Sequence, residues 1–241
     1  MIYDICTDNY SAFQIFEKNK LKPRAYFIPF QDRKSSETVS LCDERYKSNL
    51  VKVLNGKWDF KYYPKFSDMP KRFDTSIVDF DEVNVPSMWQ YTGYEKPYYI
   101  NQNYPFGRKP PKIPTDDPVG LYKTIRNGKW TPLTVDNIYN SVGVYRKKIE
   151  ISDIEKIFII SFLGCSSCLE LYVNGSFHGY SEGSHNTAEF NITDKLGKGE
   201  NEIVVVVHKW CNGTYLEAQD MFRSNGIFRD VLLFVHDKSY V

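Results

Sequence analysis

Between Thr214 and Phe234 the chain reads TYLEAQDMFRSNGIFRDVLLF. Glu217, Gln219, Asp220, Arg223 and Asn225 crowd together there, just ahead of an apolar run. Ionised carboxylates accept several hydrogen bonds, and amides both donate and accept, so such a loop can read the orientation of hydroxyl groups. Its carboxylates also suit a hard cation. Glu217 and Asp220 stand three residues apart. They could act as an acid and a nucleophile only if their environments drove their pKa values apart. Spacing alone does not establish that. The plainer reading of Glu217, Arg223 and Asp230 is structural or solvated charge. Arg223 with Asp230, or Arg229, is expected to hold the loop by ion pairs.

Other chemistries find less support. Cys165 and Cys168 form one CxxC, but a zinc site needs a second ligand pair at matching spacing, and none follows. The five cysteines are therefore read as ordinary reduced thiols. His178, His185, His208 and His236 share no metal-ligand spacing. The serines lack a nucleophile-elbow context, and no glycine-rich phosphate loop appears.

The elements that must position the polar cluster read as short strands. The 241 residues carry 18 Tyr and 16 Phe, which favour strands and can cover the apolar face of a sugar ring. KIFIISFLG (156–164) is continuous enough to be a strand covered on both faces. LELYVNGSFHGYS is a hairpin about Asn174-Gly175. Asn55-Gly56 makes another turn, before alternating Trp58, Phe60 and Tyr62. Strands are also expected at 202–208, in VNVPSMWQY and in IFRDVLLFVH. No long segment keeps a helical period, so the fold class is all-β, a sandwich. Residues 1–48, with LKPRAYFIPF, read as an extended arm, and 49–241 as the folded domain. DPVGLYKTIRNG (117–128) echoes NSVGVYRKKIEI (140–151), either by chance or through a local insertion over 119–142. The net charge of +1 gives no general attraction to nucleic acid or to a membrane surface. The first twenty residues contain no signal-like apolar stretch, and no apolar run reaches bilayer length, so the expected compartment is the cytoplasm.

Four stretches together resemble the N-terminal sugar-binding domain of family 2 glycoside hydrolases, in the β-galactosidase branch. They are LNGKWDF (54–60), VPSMWQYTGYEKPYYINQNYPF (85–106), LYVNGSFHGYSEGSHNTAEFNIT (171–193) and YLEAQDMFRSNGIFRDV (215–231). They occur in the family's order. The resemblance implies a jelly-roll sandwich of the galactose-binding-domain kind. It also implies a site: Asn101 contacts the galactosyl unit, with Gln102 and Asn103 as alternatives, and Asp220 contacts galactose hydroxyls and a sodium ion. Mg2+ is implied for the full-length enzyme, as is a homo-oligomer.

The family keeps its two catalytic glutamates in a later (β/α)₈ barrel, and a retaining pair needs its carboxyls about 5–5.5 Å apart. This chain shows no alternating βα pattern. No catalytic residue is expected in it; its partners are galactosides and the C-terminal domains of the same protein. Two other roles fit the sequence: a stand-alone carbohydrate-binding module, and a structural module at a subunit interface. β-Glucuronidases and β-mannosidases share the family, but YLEAQDMF favours the galactosidase branch.

Overall fold

Asn174 and Gly175 turn the chain with φ of 48° and 85°, the left-handed pair a tight two-residue hairpin requires. The turn joins two strands of a seven-stranded antiparallel sheet that faces a four-stranded one. The computed structural model describes residues 1–5, 8–40, 42–100, 112–115, 123–126, 129–132, 139–217 and 220–239. In chain order the strands of the two sheets are β1 (Glu17–Lys18), β2 (Val51–Val53), β3 (Gly56–Tyr63), β4 (Asp81–Val85), β5 (Val142–Ile151) and β6 (Ile157–Phe162), followed by β7 (Cys168–Val173), β8 (Ser176–Glu182), β9 (Ala188–Asn191), β10 (Gly199–His208) and β11 (Val231–His236). The large sheet runs β1-β8-β7-β10-β5-β3-β4 and the small one β9-β6-β11-β2. From β5 onward the chain passes repeatedly from one sheet to the other. This is the all-β jelly-roll sandwich expected.

Each strand's residue pattern follows from what covers it. Ile203, Val205 and Val207 point into the core between the sheets with Trp58, Phe60, Ile160 and Leu233. Val204 and Val206 point to the other face, where Tyr3, Phe73 and Tyr172 bury them. A strand covered on both faces has no reason to alternate, which explains the unbroken apolar run in β10. In β3 Trp58 and Phe60 are buried while Asp59 and Lys61 are half-buried, as alternation predicts.

The first 48 residues supply the outer cover. Ile2–Asp4 pairs with Arg72–Asp74, and β1 extends the sheet beyond β8. Leu21, Ile28 and Tyr46 pack on the outer face of the small sheet against Ile159, Leu232 and Phe234. Arg24 grips Glu189 with two hydrogen bonds of 2.8 Å. The segment also holds one short helix, Arg33–Glu37, capped by the Asp32 carboxylate.

Gly56 takes a φ of 94° and opens β3, and β2 and β3 belong to different sheets. One local expectation changes. IFRDVLLF is not one strand: Gly226–Ile227 pairs with Cys165–Ser166, and β11 begins only at Val231. Asp230, between them, is drawn out to Arg45 at 2.9 Å, to Asn55 at 2.9 Å and to the Tyr46 hydroxyl. The arm, and not Arg223, therefore holds this carboxylate. Arg229 instead donates to the carbonyls of Leu163 and His185. Within 119–142, Lys123–Arg126 and Lys129–Pro132 form a separate antiparallel pair.

Candidate functional site

Asp220 is exposed, one residue before a short strand, Met221–Arg223. That strand pairs antiparallel with Tyr98–Ile100: Met221 opposite Ile100, Phe222 opposite Tyr99, Arg223 opposite Tyr98. The Tyr99 hydroxyl donates to the Asp220 carboxylate. The Tyr99 and Phe222 rings meet edge to face at 5.7 Å. Tyr99 is 52% exposed, Phe222 60% and nearby Leu216 80%. An accessible carboxylate beside open aromatic rings is what a hydroxylated, partly apolar ring demands. Asn101, Gln102, Asn103 and Gln219 lie outside the described residues. Ile100, which precedes Asn101, is paired with Met221, which follows Asp220.

Glu217 and Asn225 do structural work. Glu217 accepts the Ser184 backbone N–H at 2.7 Å and its hydroxyl at 2.6 Å, which braces the turn after β8. Asn225 is buried: its N–H donates to the Gln90 amide oxygen at 2.7 Å, and its own amide oxygen accepts from Gln90 at 3.0 Å. Arg223 lines a shallow cleft with Ser184, His185, Glu217, Phe222 and Phe228.

Sequence reading missed Tyr99, although it sits two residues before Asn101 inside the quoted motif. It also missed the support beneath the site. Lys209 follows β10 and is 1% exposed. Its ammonium pairs with Glu95. Glu95 also accepts from the Trp89 indole at 3.1 Å and the Gln90 amide at 2.9 Å. Burial pushes the Lys209 pKa down, and Glu95 opposes that shift.

His178, His208, Cys165 and Cys168 offer no reactive centre. His208 is fully buried, stacked on Tyr10 at 4.7 Å, and burial lowers its pKa to about 3. His178 lies in β8 and is shifted down, first by burial. Cys165 and Cys168 are buried free thiols, both raised by burial above the ordinary thiol range. Such thiols are inert.

Among the described residues no group of three or more His, Cys, Asp or Glu could hold a metal ion. Asp220 suits a hard cation by its chemistry, but as one ligand only. A sodium site here would need most of its oxygens from elsewhere.

The sequence matches the model of the "Glycosyl hydrolases family 2, sugar binding domain" over residues 51–131 and 128–237. The chain belongs to that family. The two matched pieces overlap within 119–142. The β-galactosidase of Actinobacillus pleuropneumoniae is 38% identical over 223 residues, 92% of this chain and 19% of that protein. The β-galactosidase of Priestia megaterium is 35% identical over 229 residues, 92% of this chain and 20% of that protein. The family 2 domain thus spans about a fifth of the length of these relatives. A solved β-glucuronidase of Bacteroides uniformis superposes with a TM-score of 0.50 at 19% identity, covering 77% of this chain and 18% of that one. This likeness shows the fold. The family 2 sandwich carries its open carboxylate just ahead of Met221–Arg223, the strand that pairs with Tyr98–Ile100.

Proposed function

We propose that this chain is the sugar-binding domain of a retaining β-galactosidase, and that it supplies contacts to the galactosyl unit of a terminal β-galactoside. One observation carries the reading: the exposed Asp220 carboxylate, oriented by Tyr99 and flanked by open aromatic surface. Asp220 accepts hydrogen bonds from galactose hydroxyls, and Asn101 contributes its amide to the same sugar. A charged acceptor gives stronger hydrogen bonds than a neutral one, so Asp220 is the larger contributor. Tyr99 fixes the carboxylate and offers a ring edge. The β-galactosidase relatives support the choice of sugar.

In this reading the bond-breaking carboxylates belong to a catalytic barrel elsewhere in the protein, which works with retention through a glycosyl-enzyme intermediate. Asp220 would be this chain's ligand to a sodium ion, which supplies fixed positive charge to orient sugar hydroxyls. Mg2+ would serve the full-length enzyme. The proposal extends to a homo-oligomeric, cytoplasmic enzyme.

The test uses the complete gene product that contains this chain. Hydrolysis of an aryl β-galactoside is measured for wild type and for Asp220→Ala. A large rise in KM supports the reading. Unchanged KM and kcat would overturn it and leave a structural module. A product without hydrolytic activity that still binds methyl β-galactoside would instead be a stand-alone binding module.

A further inference from the structure

Beneath the Asp220 strand pair lies a closed circuit of hydrogen bonds joining three distant segments. The Lys209 ammonium donates to Glu95. The Gln90 amide nitrogen donates to Glu95 at 2.9 Å and to the Asn225 amide oxygen at 3.0 Å. The Asn225 amide nitrogen donates to the Lys209 carbonyl at 2.9 Å, which closes the ring. The Ser167 hydroxyl reaches the same carbonyl at 2.6 Å. Backbone bonds run alongside, from Trp89 N–H to the Asn225 carbonyl at 3.0 Å and from Ser87 N–H to the Ile227 carbonyl at 2.8 Å.

The circuit's position matters more than its strength. Glu95 stands three residues before Tyr98, the start of one strand of the pair. Asn225 stands two residues after Arg223, the end of the other. Lys209 is anchored at the end of β10, in the middle of the large sheet. Both strands that frame Asp220 are thus tied, close to their ends, to one rigid point.

Stability is a poor explanation for this arrangement. Taking an ammonium and a carboxylate out of water costs about as much as their attraction returns, and apolar replacements of such pairs are often neutral or stabilising. The loop could have been pinned with apolar side chains. A charged circuit adds direction: the Gln90 and Asn225 amides and the Glu95 carboxylate admit few geometries.

We propose that Lys209 and Glu95 are positioning residues for Asp220, holding Tyr98–Ile100 and Met221–Arg223 in the register that sets the Tyr99 hydroxyl on the carboxylate. The proposal rests on the reading of Asp220 as a galactosyl contact.

The experiment combines two measurements on Lys209→Met/Glu95→Gln, which keeps an acceptor for Trp89 and Gln90 and leaves no buried ammonium facing a neutral amide; Glu95→Gln alone, which does leave one, is the harsher comparison. In the complete gene product, KM and kcat for an aryl β-galactoside are measured with Tm. The expected result is a KM raised tenfold or more with Tm nearly unchanged, and no further rise when Asp220→Asn is added, because the effects share one route. In the 241-residue chain, backbone amide resonances of 98–100 and 220–223 are expected to shift. Resonances that move only around Gln90 and Asn225 would sink the positioning role. So would a KM effect that multiplies fully with Asp220→Asn. An Asp220→Asn variant with wild-type kinetics sinks the galactosyl reading instead, and the resonances then report separately on the circuit.

Discussion

The Glu217 carboxylate accepts both the backbone N–H and the hydroxyl of Ser184, at 2.7 and 2.6 Å. Each of its oxygens is committed to the same turn residue. That makes Glu217 a brace for the turn after β8, although it is only three residues from Asp220. A half-buried brace of this kind is worth about 1 kcal/mol. We expect Glu217→Gln to lower Tm by roughly 2–4 °C, the shift such a loss causes in a chain of this size. Affinity for a β-galactoside should stay as in wild type. Thermal unfolding beside a kinetic assay checks both halves.

Asp220 should behave in the opposite way. It is exposed, and Tyr99 holds it from one side. Little folding energy depends on it. A lost hydrogen bond to a charged group costs about 1.5–3 kcal/mol, or roughly ten- to a hundredfold in affinity. Asp220→Asn should therefore raise KM for a galactoside by that order while Tm barely moves. Tyr99→Phe should give a smaller rise, since it frees the carboxylate without removing it. If Asp220→Asn unfolds the domain, the site assignment is wrong.

Glu170 gives a pH signature. It is fully buried, and burial pushes its pKa up to about 8. The Tyr172 hydroxyl and the Asn9 amide donate to it at 2.8 and 3.2 Å and pull partly the other way. The native state keeps a proton that the unfolded chain releases near the ordinary carboxylate pKa. Stability from this group is complete below that value and is lost as pH rises to about 8. His208, lowered to about 3, acts in the opposite sense below about 6.5. Between pH 6.5 and 8 only Glu170 of the two contributes. Urea midpoints should fall across that window in wild type and fall less in Glu170→Gln.

The arm offers a third kind of test. Arg24 holds Glu189, and Arg45 with Tyr46 holds Asp230. Asp230 is raised by burial, but its bonds to Tyr46, Asn55 and Arg45 outweigh this and leave its pKa below the ordinary value. This clasp therefore persists above that value and fails only as pH drops through the lowered one. Removing both clasps, Arg24→Ala with Asp230→Ala, should open residues 19–48 to limited proteolysis while the sandwich resists. Cutting that begins in the sandwich would show that the arm is not the looser part.

The sandwich was legible in the sequence because its signals are local. The Asn174-Gly175 pair declares its hairpin, and 156–164 declares a strand covered on both faces. The Asp220 loop was legible through a motif. The support below it was not, because its partners lie far apart: Lys209 and Glu95 are separated by 114 positions, Gln90 and Asn225 by 135. No periodicity reports such pairs. A turn dipeptide such as Asn55-Gly56 states that the chain bends, and not which sheet receives the next strand. Asp230 interrupted the expected strand at 227–234 because its three partners, Arg45, Tyr46 and Asn55, come from the other end of the chain.

The order of the small sheet carries a consequence for the chain's synthesis. Its middle strand β11 is the last in sequence, flanked by β6 and by β2 from the front of the sandwich. Until residues 231–236 emerge from the ribosome, β6 and β2 have no common partner, and the apolar face of the large sheet stays half covered. At about 5–20 residues per second the nascent chain spends roughly ten to thirty-five seconds in that state after β2 has been made. The sandwich closes only once its final strand is out.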